Sequence, residues 1–504
     1  MRMSNNNIKL LKFIRDNHIV FALTVIVIAG AALRMKGLTF NSYWVDEIYS
    51  LSFSNPSNSM EKVFEETTIT DVHPPLYQTI LWVWFKLFGY TEFAGRLLSV
   101  VIGTTGVLAI YFLAKELFDK YVGLCASLIA STNYFLIYYS QEARSYSLIL
   151  LLTVVSYLFL KRTLENPQKK NILPYWITTV LLLYTNYITM FVVGTQVFVF
   201  FFYILKFPAN RKKLAALALL TAFIFILSIL PILKYIPFNR EGLLYWVEKP
   251  SPFFFLGYIY WYFGNAVLFL LFAASGLIST IYLFGKKSSA KEKTALALLL
   301  VWIISGYLIP YFKSIMSTPI LVPRYTIYIV PAIIIFVSYG LWRINSRTRG
   351  VLLGIIIIFS MYQLLHNYYH SITKAQWRGV LQNVISFNPL PAYEYVPYDG
   401  WGKHLNLYQT YAKMLQMDIV IQGTTKLEED FDGGTLPECF WVLDARRDHI
   451  KESKILNSTP LNQAYKTNLA DAMDETTAVG ILYAYKTNPA ICLKKAGIGK
   501  SNND

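Results

Sequence analysis

The sequence predicts a polytopic α-helical membrane protein of about eleven spans, followed by a small α/β domain. Three observations predict it. Of 504 residues, 55% are hydrophobic and 15% charged, whereas a soluble domain carries charge on about a quarter of its residues. Apolar stretches close to the roughly 20 residues needed to cross a bilayer recur up to about residue 370. Beyond that point the long apolar runs give way to short strand-like ones.

The stretches fall at about 18–37, 94–114, 121–139, 143–161, 172–187, 188–206, 213–236, 264–285, 294–312, 323–343 and 350–369. Those from 172 to 206 are nearly continuous, with a break near Tyr187. Positive charge sets the orientation, because cytoplasmic loops collect Lys and Arg. Lys9, Lys12 and Arg15 precede the first span, and Lys161, Arg162, Lys169 and Lys170 fall between two others. Later groups are Lys206, Arg211, Lys212 and Lys213, then Lys286, Lys287, Lys291 and Lys293, and last Arg343, Arg347 and Arg349. With all of these cytoplasmic, eleven spans alternate without conflict and the segment from 371 onward is extracytoplasmic. The first span also contains Ala29-Gly30-Ala31, which resembles a processing site; with or without cleavage, residues 38–93 lie outside.

Residues 73–89 are apolar but short and contain Gln78 and Lys86. They read as a juxtamembrane or re-entrant helix. Were they to cross, the count would rise to twelve or thirteen and the charge alternation of every later loop would reverse.

The 46 Lys and Arg against 30 Asp and Glu give a net charge of +16. Because these cations sit in short loops between apolar runs, they report topology, and no nucleic-acid partner is expected. Aromatic residues make up 16% of the chain, which suits many membrane–water boundaries. The expected location is the cytoplasmic membrane, with the bilayer itself as a partner.

The domain reading is a membrane module over 1–370, with a first outer loop at about 38–93, and an extracytoplasmic α/β domain over 371–504. A second outer loop, about 237–263, carries Arg240, Glu241, Trp246, Glu248 and Lys249. Its aromatic run Phe253–Phe263 reads as an interfacial belt or as a lid over a lipid-chain groove. In the C-terminal domain, strands are expected at Tyr393–Val396, Asp418–Ile421, Phe440–Leu443 and Val479–Tyr485, with a helix around Leu405–Leu415. Cys439 and Cys492 could pair there or remain two thiols, and unpaired thiols are the expectation. No nucleophile elbow, glycine-rich phosphate loop or metal-ligand spacing occurs in this domain.

On this topology the polar residues of interest gather at one membrane face. Asp46 and Glu47 follow the first span, and Asp71 and His73 lie further along the same loop. Arg96 opens the second span. Gln141, Glu142 and Arg144, with Tyr146 close behind, occupy a tight outer turn, and Arg324 opens a later span. Each has an ordinary explanation. Asp46 and Glu47 could cap a helix, His73 could end an extended segment before its two prolines, and the arginines could be snorkelling anchors. Glu142 and Arg144 could simply pair with each other. Their shared face argues for more, since charge near hydrocarbon is costly and tends to mark function.

Glycosyl transfer from a sugar phosphate at a membrane surface needs this set. A carboxylate accepts the proton of an attacking hydroxyl. Arginines hold the departing phosphate through charge-assisted hydrogen bonds. Glu47, Asp71 and His73 could orient the acceptor or hold a divalent metal cation.

These motifs resemble a known family. The Asp46-Glu47 pair, His73-Pro74-Pro75-Leu76-Tyr77, Arg96-Leu97-Leu98-Ser99 and Tyr139-Ser140-Gln141-Glu142-Ala143-Arg144-Ser145-Tyr146 look like those of the dolichyl-phosphate-mannose protein mannosyltransferase-like membrane glycosyltransferases. That superfamily includes the aminoarabinose transferases. The likeness covers roughly residues 15–370, with Pro323-Arg324-Tyr325 as its late landmark, and is weak beyond.

The resemblance implies a GT-C fold, a polyprenyl-phosphate-linked sugar donor, hexosyl or pentosyl transfer with inversion, and Asp46 as catalytic base beside Glu47. It leaves Asp71, His73, Arg96, Gln141, Glu142, Arg144, Tyr146 and Arg324 as substrate-binding candidates. The aminoarabinose transferases carry a Glu-Lys pair where this chain has Val72-His73, so a metal site does not carry over from that branch. The acceptor, whether protein, lipid or cell-wall glycan, is not specified. Two other functions fit the same topology: a transporter or flippase of lipid-linked sugars, and a membrane-anchored assembly protein. No internal repeat supports the first, and the second leaves the carboxylates without a task.

Overall fold

The computed structural model describes residues 17–70, 73–233, 247–395, 406–444, 453, 455–458, 461–466 and 479–498. Two compact units emerge. One comprises Met1–Lys36, Val72–Tyr77 and Arg96–Asn367; the other comprises Gly37–Asp71, Gln78–Gly95 and Tyr368–Asp504.

The first unit is helical. Among the described residues, nine helices are long and apolar enough to cross a bilayer: His18–Met35, Glu92–Leu117, Tyr146–Glu165, Thr189–Lys206, Pro208–Pro231, Ala266–Phe284, Ala290–Met316, Pro323–Trp342 and Ser346–Tyr368. A tenth is the pair Lys120–Thr132 and Tyr134–Ser140, bent by 60°. Asn133 makes the bend: it leaves the first helix in an extended conformation, and its Oδ1 caps the second by accepting from Leu136 N at 3.0 Å. Its Nδ2 donates to Tyr262 O at 2.8 Å, so the break is itself held in place.

Ion pairs fix the direction of travel through this region. Glu116, at the end of Glu92–Leu117, receives Arg162 Nη2 at 2.7 Å and Lys161 Nζ at 3.2 Å from the end of Tyr146–Glu165. Two helices that finish together run the same way, so the bent pair is the segment that brings the chain back.

By length and apolarity, ten of the eleven expected crossings are therefore present among the described residues, and the eleventh is a shorter helix. The stretch read as 172–187 is a 15-residue helix, Lys169–Leu183. At 1.5 Å per residue it is about 22 Å long, short of a hydrocarbon core of about 30 Å. Asn186 then caps a short turn at Tyr187–Thr189, accepting from Ile188 N at 3.0 Å, which is the break anticipated near Tyr187. Residues 76–88 form the 13-residue helix Leu76–Phe88, shorter still. In the second outer loop, Phe254–Phe263 is helical, while Arg240, Glu241 and Trp246 lie outside the described residues.

Small residues let the spans approach closely, as expected where lipid gives helices no hydrophobic reason to associate. A Cβ on Gly340 would overlap the Ser275 carbonyl of the facing helix. Beside it, Ser279 Oγ donates to Phe336 O at 2.5 Å.

The second unit holds the α/β part. Its five-stranded sheet has the order β2-β1-β3-β5-β4, with β1 Ala392–Tyr395, β2 Ile421–Gln422, β3 Cys439–Asp444, β4 Leu461–Lys466 and β5 Val479–Tyr485. β1 runs parallel to β2 and β3, while β5 is antiparallel to β3 and β4. Tyr393, Leu427, Phe440, Val442, Ile481 and Tyr483 are among its core residues.

Three of the four expected strands lie close to where the sequence put them. The second shrinks to two residues at Ile421–Gln422. β4 escaped notice because Leu461–Lys466 has only its first residue buried. The helix Leu407–Met414 appears as expected. Glu394, buried in β1, accepts from its Tyr408 N at 2.9 Å, and burial pushes the Glu394 carboxyl up to about 8.

The expectation of two free thiols is corrected. Cys439 and Cys492 form a disulfide that fastens β3 to the helix Pro489–Ala496. Fifty-three residues of separation hid this pairing from a sequence reading.

Candidate active site

The helix Val45–Phe53 begins at Trp44, and its first turn carries Asp46 and Glu47. Unpaired N–H groups and the helix dipole favour negative charge there. Adjacent helical residues point about 100° apart, so the two carboxylates meet different surroundings. Glu47 is fully buried, accepts from Trp44 N at 3.5 Å and forms an ion pair with Lys374 Nζ at 3.1 Å. Asp46 is only half-buried. One turn therefore supplies one enclosed carboxylate and one accessible carboxylate.

Residues from the C-terminal part of the same unit hold this loop. Asn41 Oδ1 accepts from Thr373 N at 3.2 Å and Gln376 Nε2 at 3.1 Å, and Ser42 Oγ donates to Gln376 Oε1 at 3.2 Å. Tyr43 N donates to Tyr411 Oη at 3.0 Å. Glu92 is buried and binds both Arg378 and the Tyr411 hydroxyl. Burial and the neighbouring Glu92 carboxylate push the Tyr411 phenol well up, which keeps it a donor. Gly95 is needed for closeness, since a Cβ there would strike the Tyr43 hydroxyl.

In the first unit, Arg34 organises the motif around Ser140. It is 1% exposed and donates to the carbonyls of Gly30 (3.0 Å), Ser131 (3.1 Å) and Ala130 (3.1 Å) and to Ser140 Oγ (3.2 Å). Gln141 answers by donating Nε2 to Arg34 O at 2.8 Å and Lys36 O at 2.7 Å. The first span and the turn after the bent pair are thereby interlocked.

In this turn Glu142 and Arg144 are buried, as is Tyr146 at the start of the next helix. The Tyr139 ring meets Tyr146 edge-on at 5.0 Å, and the charges of both Glu142 and Arg324 act on the Tyr139 hydroxyl. Arg324 is half-buried and Arg96 fully so. Near Arg96, Tyr77 Oη and Ser99 Oγ are 3.2 Å apart, and His73 is half-buried. Buried charge of this kind is expensive and is kept where it has a task.

The sequence-predicted residues therefore sort into two sets. Asp46 and Glu47 belong to the second unit. His73, Arg96, Gln141, Glu142, Arg144, Tyr146 and Arg324 belong to the first, with Glu142, Tyr146 and Arg324 gathered around Tyr139. Asp71 lies outside the described residues. Among the described residues, no three His, Cys, Asp or Glu side chains come together to hold a metal, and Glu47 is already engaged by Lys374. Sequence reasoning missed Arg34, Glu92, Lys374, Arg378 and Tyr411. Only Arg34 gave a usable signal, as a lone charge near the end of an apolar span.

Comparison with known proteins follows the same lines. Residues 72–235 match the family model of the dolichyl-phosphate-mannose-protein mannosyltransferases. No curated protein matches the chain by sequence. ArnT from Cupriavidus metallidurans in the apo state is similar in fold, with a TM-score of 0.61 at 13% identity over 93% of this chain and 98% of that one. Bound to undecaprenyl phosphate, ArnT gives 0.59 at 13% identity over 92% and 98%. The archaeal oligosaccharyltransferase AglB from Archaeoglobus fulgidus, in complex with an inhibitory peptide and a dolichol-phosphate, gives 0.57 at 14% identity over 86% and 70%. With its fold matched over most of the chain and its sequence over residues 72–235, this protein has the GT-C membrane fold and resembles the dolichyl-phosphate-mannose-protein mannosyltransferase-like glycosyltransferases.

Proposed function

We propose that the protein transfers a sugar from a polyprenyl-phosphate donor to an acceptor hydroxyl at the extracytoplasmic face of the cytoplasmic membrane, with inversion. One observation carries the reading: Asp46 is the accessible carboxylate of a pair whose other member is enclosed, in a chain folded like proteins solved with undecaprenyl phosphate and dolichol-phosphate. Asp46 accepts the acceptor proton as the hydroxyl oxygen attacks the anomeric carbon. The bond from that carbon to the phosphate oxygen breaks, and polyprenyl phosphate leaves with the electron pair. Arg96, Arg144 and Arg324 offer the positive charge that this leaving group needs. His73, Gln141, Glu142 and Tyr146 are the remaining candidates for recognising donor or acceptor. Glu47 shapes the site from behind Asp46.

Incubating purified protein with a polyprenyl-phosphate hexose and a hydroxyl acceptor tests the reading. Released polyprenyl phosphate is the expected product. A protein that moves the intact lipid across vesicles without cleaving it is a transporter, and the reading falls.

The disulfide Cys439–Cys492 supports an extracytoplasmic C-terminal part, since such bonds persist in oxidising compartments. The basic loops near 165, 210, 288 and 346 support the same orientation when the short helix Lys169–Leu183 crosses as an eleventh span, a mismatch that local thinning of the bilayer can absorb. In intact cells, an impermeant thiol reagent is expected to label Asn457→Cys and spare Lys287→Cys, both exposed positions. Equal labelling would reverse or dissolve this topology.

A further inference from the structure

Lys374 follows the last span and turns back into the interior of its own unit. It is 7% exposed, and its Nζ lies 3.1 Å from a Glu47 carboxylate that is fully buried. Ammonium and carboxylate both leave water to make this contact, which is costly for each unless the other is present. The Lys374 main chain is fixed as well. Its carbonyl accepts from Gln376 Nε2 at 2.8 Å, and the same Gln376 binds Asn41 and Ser42, just ahead of the carboxylate helix. The Nζ also lies 6.0 Å from the Trp44 ring, where the helix begins.

We propose that Lys374 is a positioning residue for the carboxylate site, holding Glu47 inward so that Asp46 faces the accessible side of the same helical turn. The proposal rests on the glycosyl-transfer reading and deepens it. Residues 46 and 47 are rigidly related on one turn, so fixing the rotation of Glu47 fixes that of Asp46. Lys374 touches no reacting atom in this scheme and acts through Glu47. The catalytic turn is then completed by a residue far along the chain, from the segment that opens the C-terminal part.

A purely structural ion pair makes a different prediction. Replacing both partners of a buried pair by neutral groups is often harmless or stabilising, whereas removing one is damaging. The experiment compares full-length parent, Lys374→Met, Glu47→Gln and the double variant in detergent, reading the thermal midpoint and steady-state release of polyprenyl phosphate.

Both single variants are expected to lose midpoint and turnover. The double variant is expected to regain the midpoint while kcat stays at least about tenfold below the parent with donor KM little changed, on the scale at which misplaced catalytic groups act. A double variant that regains both midpoint and turnover overturns the proposal, as does a Lys374→Met variant that turns over like the parent. If the double variant stays unstable, Lys374→Arg decides. It keeps the charge on a longer side chain, so a lower kcat at the parental midpoint supports positioning, and an unchanged kcat overturns it. Parent turnover is measured first: its absence sinks the functional reading, whereas normal parent turnover with indifferent variants sinks this proposal alone.

Discussion

Asp46→Asn is expected to lower sugar transfer by about 10²-fold or more, the usual contribution of a general base, while expression, membrane insertion and thermal midpoint remain near parental. Asn preserves the size and polarity of Asp but takes up no proton at neutral pH. The structure separates this outcome from a structural one. Trp44 occupies the cap position of the helix, and Glu47 is the side chain that bonds back to its N–H. Asp46 therefore does not cap the helix, and as a first-turn charge it contributes roughly 0.3–1 kcal/mol to the helix. A large loss of turnover with little change in midpoint therefore identifies the base. Turnover within about tenfold of the parent would return Asp46 to the role of a helix-terminal charge.

Much of this arrangement was legible in the sequence, and what was not has physical causes. Bilayer thickness makes span length a strong signal, so His18–Met35, Glu92–Leu117 and Ala290–Met316 stand where apolar runs place them. Lys169–Leu183 is shorter than its apolar run because the chain breaks at Asn186, and hydropathy does not register the cap that ends a helix. The bent pair carries enough apolar residues for a span, and only the Asn133 cap reveals the bend.

For the site, short motifs identified the carboxylates, the turn after Ser140 and the arginines. They could not reveal that Lys374, Arg378 and Tyr411 close on the first loop, because contacts across 286 to 368 residues leave no periodicity. Hydropathy likewise drew a boundary near 370, while the compact unit joins Tyr368–Asp504 to Gly37–Asp71 and Gln78–Gly95. A hydropathy scan separates apolar from polar segments and carries no record of which of them pack together.

The arginines offer the second test. Arg144→Lys and Arg324→Lys keep the charge but lose the planar fork, which binds a phosphate through two parallel hydrogen bonds that lysine cannot reproduce. The donor phosphate belongs at the boundary, because its polyprenyl chain is in the bilayer and its sugar is in water. An arginine that only anchors a span extends to the headgroups and should accept lysine almost freely, since lysine snorkels equally well. Arg144 does not fit that description: it is 7% exposed and lies in the turn organised by Arg34 and Gln141. Arg324 is half-buried, with its guanidinium 5.3 Å from the Tyr325 ring. A hydrogen bond to a charged group is worth roughly 1.5–3 kcal/mol, so Arg144→Lys is expected to lower kcat/KM by about tenfold or more. Arg324→Lys should act in the same direction with a smaller loss, because water can replace part of what a half-buried guanidinium supplies. Donor turnover measured over a range of donor concentrations gives both values. If the two lysine variants match the parent, the phosphate is held elsewhere and these arginines serve the membrane boundary.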